Sequence, residues 1–363
     1  MTSIALHAGQ LLQPVPGGIG RYVRALLDRL PEAGASVTAF AAGPRPTDLP
    51  AGTPWVDLGS PRGSLRYEAW HRLGRPRVGI AADVVHAPSL AVPSTDRPLV
   101  VTVHDVAFLR MPETTTRRGV AFHARGLDRT RRRAAVIIAP SAFTRRELVA
   151  EGFPAERIEV VPLGVDPPGV RSDPEVDAAV AAVGVRAPYV LTVGTVEPRK
   201  DIPTIVAVVD RARRRVPDLT LVVVGPPGWG EVRGLDRSFV RVLGDQPWPV
   251  VDALYRRATV FCSASRYEGF GLPALEAMAR GAPTVATTGS ATEEFVDGAG
   301  LTFTPGDVDA GTAAIEELVD DDAARARLGE AGRTRAGALT WARSVQAHLP
   351  VYARAAGAGQ SRS

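Results

Sequence analysis

Arg199 and Lys200 stand side by side, and Lys200 is the only lysine in a chain of 363 residues with 43 basic side chains. The apolar run 188–195 ends just before them, and a helical segment follows from Asp201, a plausible N-cap. The pair is therefore predicted to lie where a strand ends and a helix begins, beside amide groups that favour an anion. A guanidinium fork next to a compact ammonium suits the oxygens of a diphosphate.

Two glutamates, Glu268 and Glu276, follow another apolar run within the segment "YEGFGLPALEAMARG". Gly269 and Gly271 allow the backbone near Glu268 to approach a ligand closely, and Pro273 favours the start of a helix that carries Glu276. Glu276 alone would be an ordinary glutamate near a helix start, where the helix dipole favours it. The whole pattern instead predicts that both carboxylates point into one crevice at the strand ends.

A third candidate is His104, which with Asp105 ends the run "VTVHD". An isolated histidine is more often structural, but placement at the end of a strand favours a role in ligand binding. Asp105 is the weaker candidate of the two.

The elements that must position these residues alternate between strands and helices in both halves of the chain. The predicted strands of the first half are 3–8, 36–41, 84–88, 99–105, 135–140 and 158–162. Those of the second half are 188–195, 219–225, 239–244, 259–265, 283–288 and 301–305. The fold class is therefore α/β, with two doubly wound, Rossmann-like domains of parallel sheet.

The predicted domains are residues 1–165 and 188–339, joined by a proline-containing connection at 166–187. Residues 340–363 form a last helix, predicted to cross back to the first domain, and a tail. Open parallel sheets bind ligands outside the carboxyl ends of their strands. We therefore expect the site in a cleft between two domains that face each other.

Composition excludes several classes of protein. No apolar stretch approaches the roughly 20 residues of a membrane span, and the start of the chain lacks a signal-peptide pattern, so a cytoplasmic location is expected. The single Cys262 fits a chain without disulfides or a cysteine metal site. The net charge of +4 lies in the first half, where arginine runs such as 129–133 are either a solvated helix face or a surface for an anionic membrane or acidic substrate.

These segments together resemble the retaining glycosyltransferases of the GT-B fold, family 4, and among them the bacterial mannosyltransferases. The resemblance spans essentially the whole chain. It is carried by the segments "PGGIGRY", "VPLGVD", "VGTVEPRKD", "EGFGLPALEAMARG" and "WARSVQAHLPVYARA".

The resemblance implies roles for the residues that bind the donor's nucleoside diphosphate. Arg199 and Lys200 would neutralise the diphosphate, while Gly17 and Gly18 would present backbone amides from the first domain. Glu276 would hold the ribose hydroxyls.

The resemblance also implies how the donor's sugar and base are held. Glu268 would bind sugar hydroxyls and His104 would approach the anomeric carbon, so these two and the Arg-Lys pair are the predicted catalytic residues. The backbone around the sugar would come from Gly269, Phe270, Gly271 and Leu272, and backbone contacts to the base from Val242 and Leu243.

Two departures from the family pattern concern single positions. Asp201 stands where the related mannosyltransferases commonly have asparagine, and either residue can cap a helix. The segment "SATEEFVDGAG" replaces one that contains proline, so Glu293 and Glu294 are only weak candidates for a substrate pocket.

The implied reaction is transfer of a hexose from a nucleotide-diphosphate sugar to a glycan or lipid-linked acceptor. GDP-mannose is the favoured donor, with UDP- or dTDP-hexoses as alternatives, and neither a cofactor nor a metal nor a nucleic acid is expected. The one Asp-x-Asp string, at Asp307 and Asp309, is interpreted as a helix N-cap and first turn, so activity should survive EDTA. The acceptor would lie on the basic first domain, consistent with a peripheral position at the inner membrane face.

Other classes stay open from the sequence alone. A nicotinamide dehydrogenase is disfavoured because "PGGIGRY" is not G-x-G-x-x-G directly after a strand. A nucleotide-sugar epimerase would share the two-domain fold. A non-catalytic nucleotide-sugar-binding protein is disfavoured because both glutamates and the Arg-Lys pair are intact.

Overall fold

A computed structural model describes residues 1–50, 52–59 and 77–360. The chain forms two compact units. The first contains the described residues of Met1–Leu109, Arg117–Leu163 and the C-terminal segment from Trp341. The second contains Arg110–Thr116 and Gly164–Thr340.

The first unit is built on a parallel sheet with strand order β3-β2-β1-β4-β5-β6-β7. Its strands are β1 Ser3–His7, β2 Ser36–Ala41, β3 Trp55–Asp57, β4 Val84–Ala87, β5 Leu99–Thr102, β6 Val136–Ala139 and β7 Ile158–Val160. In the described part of the chain, the α-helices before β8 begin with α1 Gly17–Arg29, α2 Ala107–Arg110, α3 Arg117–Arg133 and α4 Ala142–Ala150. Sequence patterning did not predict β3, because this three-residue edge strand is only partly buried and has no apolar run.

The second unit has a parallel sheet of order β10-β9-β8-β11-β12-β13. Its strands are β8 Tyr189–Val193, β9 Thr220–Val224, β10 Val240–Gly244, β11 Val260–Ser263, β12 Thr284–Thr287 and β13 Leu301–Phe303. Its helices are α5 Asp173–Ala182, α6 Ile202–Ala212, α7 Trp248–Arg257, α8 Leu272–Ala279, α9 Glu293–Val296, α10 Val308–Asp320 and α11 Asp322–Gly337. The two sheets with their helices are Rossmann-like, as predicted.

The core of the second unit explains why its strands read as unbroken apolar runs. Val190, Leu221 and Val260 on neighbouring strands are fully buried, and Val208 and Val209 of α6 pack in the same cluster. A parallel sheet covered on both faces buries both sides of each strand, so the alternation seen in half-exposed strands is absent.

The predicted connection 166–187 groups with the second unit. Arg280 donates to the Asp166 carbonyl at 3.2 Å, and Arg256 donates to the Gly169 carbonyl at 2.5 Å. Both arginines also pair with the buried Asp252. These guanidinium contacts hold the proline-containing segment against α7 and α8.

The last helix, α12 (Trp341–Gln360), belongs to the first unit. His348 and Tyr352 on this helix are fully buried. Ser344 donates to the Pro162 carbonyl at 2.6 Å. Side-chain hydrogen bonds of α12 therefore attach the C-terminal helix to the first unit, whose sheet is formed by residues from the N-terminal half of the chain.

Candidate active site

Strand order brings the Arg-Lys pair and the first glutamate together. In the second unit β8 and β11 are neighbours, but the chain proceeds from β8 towards β9 and from β11 towards β12. Such a reversal leaves a crevice at the carboxyl ends of the two strands. Lys200 follows β8 and Glu268 follows β11, so both lie at this reversal.

The geometry at the reversal is an ion pair between the predicted residues. The Lys200 Nζ donates to Glu268 Oε1 at 2.5 Å. The Arg199 Nη1 lies 3.2 Å from Glu268 Oε2. Each oxygen of this carboxylate therefore faces one of the two cations.

Two further groups hold Arg199, and sequence reasoning did not identify them. Glu197, only 2% exposed, accepts from Arg199 Nη2 at 2.5 Å. The Tyr267 carbonyl accepts from Arg199 Nη1 at 2.8 Å. The signal was present in the sequence as a glutamate two residues before the arginine, but this spacing becomes a contact only in the turn that follows β8.

The Glu268 side chain is an ionised carboxylate at neutral pH. Burial by itself would raise the pKa of its carboxyl, but the charges of Lys200 and Arg199, with hydrogen bonds from Lys200 and Ser265, lower that pKa to about 2. A carboxylate held in this way accepts hydrogen bonds from hydroxyl groups and does not act as a general acid near neutral pH.

Glycines at the ends of two strands make room for the lysine. Gly194, with φ +149°, directly follows β8, and a Cβ built there would meet Lys200 Cε at 3.3 Å. A Cβ on Gly225 would lie 2.0 Å from the Gly194 carbonyl oxygen. Without a side chain on Gly194, the aliphatic stem of Lys200 can cross the end of β8, and without one on Gly225 the backbone after β8 can lie close to the end of β9.

Asp201 occupies the N-cap position of α6, as expected, but it does so without the hydrogen bond of a capping side chain. Its φ is +47°, and its side chain accepts no backbone hydrogen bond at the helix start. Its Oδ2 instead accepts from the Thr204 hydroxyl at 2.8 Å. Asparagine and aspartate are the residues other than glycine that tolerate this left-handed conformation best, which explains why either can stand here.

The loop that carries Glu268 is fastened to the loop after β12. The Ala291 amide donates to the Glu268 carbonyl at 3.1 Å. Gly271 has φ +98°, and a Cβ there would lie 2.3 Å from Thr292 Oγ1. The glycine predicted to permit close approach to a ligand thus also permits close approach of the two loops.

Glu276 lies in α8 and is 3% exposed. Tyr255 of α7, fully buried, donates its hydroxyl to Glu276 Oε2 at 3.1 Å. Sequence reasoning did not predict this tyrosine. Because it donates to one carboxylate oxygen, it limits the orientations open to the glutamate.

The other residues of the second unit that were predicted to contact the nucleotide sugar differ in how far they are buried. Phe270 and Leu272 are each 7% exposed, and the Phe270 ring packs on Phe295. Val242 is 45% exposed on β10, while the Leu243 carbonyl already accepts from the Gln246 side chain at 2.7 Å. The Leu243 carbonyl therefore has an intramolecular partner where a contact to the base was predicted.

Gly17, Gly18, His104 and Asp105 belong to the first unit. The two glycines are exposed at the first residues of α1. His104 Nε2 lies 2.9 Å from the Pro88 carbonyl, and because a carbonyl only accepts, this nitrogen carries a proton. Burial lowers the pKa of His104, although the bond to Pro88 and the charge of Asp105 oppose that shift.

Asp105 has a local role. Its Oδ1 accepts from the Ala107 amide at 3.0 Å, at the start of α2. The contact is that of an aspartate capping a turn.

The weaker candidates have structural contacts. The Asp307 side chain accepts from the Ala310 amide as the N-cap of α10, and Asp309 pairs with Arg211. Glu293 accepts from the Gly289 amide at 2.9 Å. Within residues 1–50, 52–59 and 77–360, no cluster of three or more His, Cys, Asp or Glu side chains could hold a metal ion.

One buried hydroxyl beside the Glu268 loop was not predicted. Ser290 is 4% exposed, and its Oγ makes no hydrogen bond in the described part of the chain. It directly precedes Ala291, whose amide binds the Glu268 carbonyl. A lone serine in a loop has no sequence signature that would single it out.

Comparison with known families matches both halves of the chain. The family described as "Glycosyltransferase Family 4" matches residues 16–168, and "Glycosyl transferases group 1" matches residues 180–335. Among the described residues, no helix combines the length and apolar character needed to cross a bilayer.

Two mannosyltransferases are among the proteins that are similar to this chain in sequence. The chain is 30% identical to O-antigen chain mannosyltransferase B of Escherichia coli, over 74% of each chain. It is also 30% identical to a GDP-mannose-dependent alpha-(1-6)-phosphatidylinositol monomannoside mannosyltransferase of Mycolicibacterium smegmatis, over 70% of this chain and 69% of that one.

Solved structures share the fold at low sequence identity. Anabaena HepE in complex with UDP and glucose superposes with a TM-score of 0.73 at 19% identity, covering 97% of this chain and 99% of HepE. Sucrose-phosphate synthase of Thermosynechococcus elongatus gives a TM-score of 0.73 at 22% identity, covering 99% of this chain and 100% of that one. The matched families, the mannosyltransferase relatives and the two parallel-sheet units agree, and the chain belongs to the family 4 glycosyltransferases of the GT-B fold.

Proposed function

We propose that this glycosyltransferase moves a hexose, preferably mannose, from a nucleotide-diphosphate sugar to a glycan or lipid-linked acceptor, with retention at the anomeric carbon. The observation that carries the proposal is the convergence of Arg199, Lys200 and Glu268 at the reversal between β8 and β11. Two cations suit the diphosphate, and an ionised carboxylate suits the hydroxyls of the sugar. Retention is supported by the resemblance of the two-glutamate segment to that of retaining enzymes.

The chemistry required of the site is stabilisation of a leaving group. Breaking the bond between sugar and diphosphate places negative charge on the phosphate oxygen and positive character on the sugar. Lys200 and Arg199 are preorganised cations that stabilise the growing negative charge without a metal. Glu276, oriented by Tyr255, would hold the ribose and fix the donor's position.

GDP-mannose is the favoured donor. The support is the similarity to the two mannosyltransferases, one of which is named as GDP-mannose-dependent. UDP- and dTDP-linked hexoses are the second candidates, because neither a diphosphate nor a ribose distinguishes the base. The exposed Val242 lies on β10, the strand for which contact to the base was predicted.

A lipid-linked acceptor would bring the enzyme to an anionic membrane surface. The support is α3, which ends in Arg131, Arg132 and Arg133, all exposed. Basic side chains near an anionic leaflet each contribute about 1 kcal/mol to binding. Flotation with phosphatidylglycerol vesicles tests this point, and absence of binding at low salt would remove it.

The donor is tested by a thermal-shift screen of GDP-mannose, UDP-glucose, UDP-galactose and dTDP-glucose. We expect GDP-mannose to stabilise the wild-type enzyme and to lose that effect with Lys200→Ala. Stabilisation by a different nucleotide sugar would replace mannose as the donor. Absence of any shift would contradict the proposed donor class.

The reaction itself is tested separately. Turnover is expected to survive EDTA, and loss of activity that returns with Mg²⁺ would contradict the role of the Arg-Lys pair. Proton NMR of the first product distinguishes retention from inversion. A product of inverted configuration would refute the retaining assignment.

A further inference from the structure

The cations predicted to bind the diphosphate are already neutralised by the protein. Glu197 and Glu268 are 2% and 9% exposed, and they face Arg199 and Lys200 at 2.5 to 3.2 Å. Two buried negative charges therefore balance two positive charges. Neither cation of the pair is unmatched, so an incoming diphosphate must compete with a carboxylate for it.

The two ion pairs differ in how easily they can be exchanged. Arg199 is held by Glu197, by the Tyr267 carbonyl and by Glu268. Glu268 provides the one hydrogen-bond acceptor for the Lys200 ammonium among the described residues. To bind a diphosphate, Lys200 has to give up only its hydrogen bond to Glu268, whereas Arg199 would have to give up its contacts with Glu197, Tyr267 and Glu268.

We propose that Glu268 is an internal competitor of the diphosphate for Lys200. Donor binding transfers the Lys200 ammonium from Glu268 to the diphosphate, and return of the ammonium to Glu268 promotes release of the nucleoside diphosphate after transfer. Glu197 keeps Arg199 in place throughout and is a positioning residue. The inference rests on the proposed function, and it assigns the same site a role in discriminating substrate from product.

The enzyme would distinguish the intact donor from the nucleoside diphosphate product by the groups that each offers to Glu268 in place of Lys200. A buried carboxylate that loses its partner is costly unless other donors satisfy it. The intact donor brings a diphosphate for Lys200 and sugar hydroxyls for Glu268 together. The nucleoside diphosphate product brings only the first, so Glu268 loses Lys200, gains no new donor and keeps only Arg199 and Ser265, and the product binds more weakly.

The test is calorimetric titration of GDP and UDP, without sugar, into wild-type enzyme and variants. Glu268→Gln removes the competing charge and is expected to bind the nucleoside diphosphate about tenfold more tightly, while turnover of the nucleotide sugar falls. Glu197→Gln is the matched control, since it changes the net charge equally but removes a carboxylate that pairs with Arg199 and not with the Lys200 ammonium. We expect it to gain clearly less affinity than Glu268→Gln.

A double-mutant cycle identifies the cation. In a Lys200→Ala background, Glu268→Gln is expected to give little or no gain, because the site of competition is gone. Glu268→Ser provides a second variant without a carboxylate, should the glutamine variant fold poorly, and its gain must have the same sign. Circular dichroism confirms that each variant is folded.

The outcomes separate this inference from the function on which it rests. Unchanged or weaker binding of nucleoside diphosphates by Glu268→Gln overturns the exchange, as does an equal gain with Glu197→Gln or a gain that persists without Lys200. In those cases, binding by the wild type leaves the proposed function standing. If wild-type enzyme bound neither GDP nor UDP, nor pyrophosphate, both would be overturned.

Discussion

Lys200 Nζ donates to Glu268 Oε1 at 2.5 Å, although 68 residues separate the two in the chain. The contact joins the turn after β8 to the loop after β11 at the reversal of the sheet. The only lysine of the chain is thus paired with the first glutamate of the two-glutamate segment. Under the proposed exchange, this ammonium would serve Glu268 in the resting enzyme and the diphosphate during the reaction.

Lys200→Arg is expected to lower turnover by about tenfold or more, even though the charge is kept, because a planar guanidinium cannot replace a compact ammonium at a fitted site. The Lys200 side chain is only 15% exposed, and its stem lies against Gly194. Steady-state kinetics with the donor identified in the screen measure the effect. Lys200→Ala is the reference for complete loss of the cation, and wild-type turnover of the arginine variant would show that shape is unimportant here.

Tyr255→Phe is expected to raise KM for the donor by about tenfold with a smaller change in kcat, because it removes a hydrogen bond to a buried charged group. Tyr189→Phe is the matched control: this fully buried tyrosine donates to the Leu254 carbonyl at 2.7 Å and does not contact Glu276. Both variants lose a buried hydroxyl, so both should lose some stability. Equal KM effects in the two would mean that Tyr255 acts only through the fold.

Gly271→Ala is expected to destabilise the protein by about 2 to 4 kcal/mol, since the added methyl both strains a left-handed backbone and collides with Thr292. Gly306→Ala separates the two effects: its φ is +80°, but a Cβ there meets no atom within 4 Å. That control should lose only about 1 kcal/mol. Urea denaturation measures both, and similar losses would show that the contact with Thr292 is easily relieved.

The sequence predicted the residues of this site that lie at strand ends, but not the side chains that hold them in place. Alternation of strands and helices placed Lys200 and Glu268 at strand ends, and parallel topology then brought them together. Glu197 and Tyr255 escaped prediction because their contacts exist only once the chain has folded: Glu197 meets Arg199 only in the turn after β8, and Tyr255 meets Glu276 only when α7 packs beside α8. Asp201 was correctly expected at the N-cap, but its left-handed backbone was not predicted, because a residue suited to capping is also suited to a left-handed turn.

A buried chain of hydrogen bonds connects α12 to the sheet of the first unit, and it predicts how the stability of this unit depends on pH. The His348 Nδ1 lies 2.7 Å from the Ser344 carbonyl and must carry a proton, so His348 Nε2 accepts from the Tyr22 hydroxyl at 2.6 Å. The other three hydrogen bonds of the chain join Tyr22 to Thr102, Thr102 to His86 and His86 to Tyr352, at 2.8 to 2.9 Å. Once the Tyr22 hydroxyl donates to His348, the donor of each of these bonds is fixed in turn. From donor to acceptor the order is Tyr352, His86, Thr102, Tyr22, His348 and the Ser344 carbonyl.

This arrangement requires both histidines to be neutral. Burial lowers the pKa of His348 to about 4, partly opposed by the bond to Ser344, and burial together with the nearby His348 and His104 lowers the pKa of His86 well below its ordinary value. The ordinary value, which the unfolded chain retains, is about 6.5. As pH falls below about 6.5, the unfolded chain takes up protons that the folded chain cannot, and stability decreases until the pH reaches the folded pKa.

For His348 alone, the loss is roughly 2 kcal/mol by about pH 5 and roughly 3 kcal/mol near pH 4. His348→Gln keeps an acceptor for Tyr22 but cannot be protonated, so its unfolding free energy should fall less steeply over this range than that of the wild type. Urea denaturation followed by circular dichroism at about pH 7.5, 6 and 5 measures the difference between the two. Because protonation of carboxylates affects both proteins alike, the difference isolates the histidine, and parallel pH dependences would show that protonation of His348 does not limit the stability of this unit.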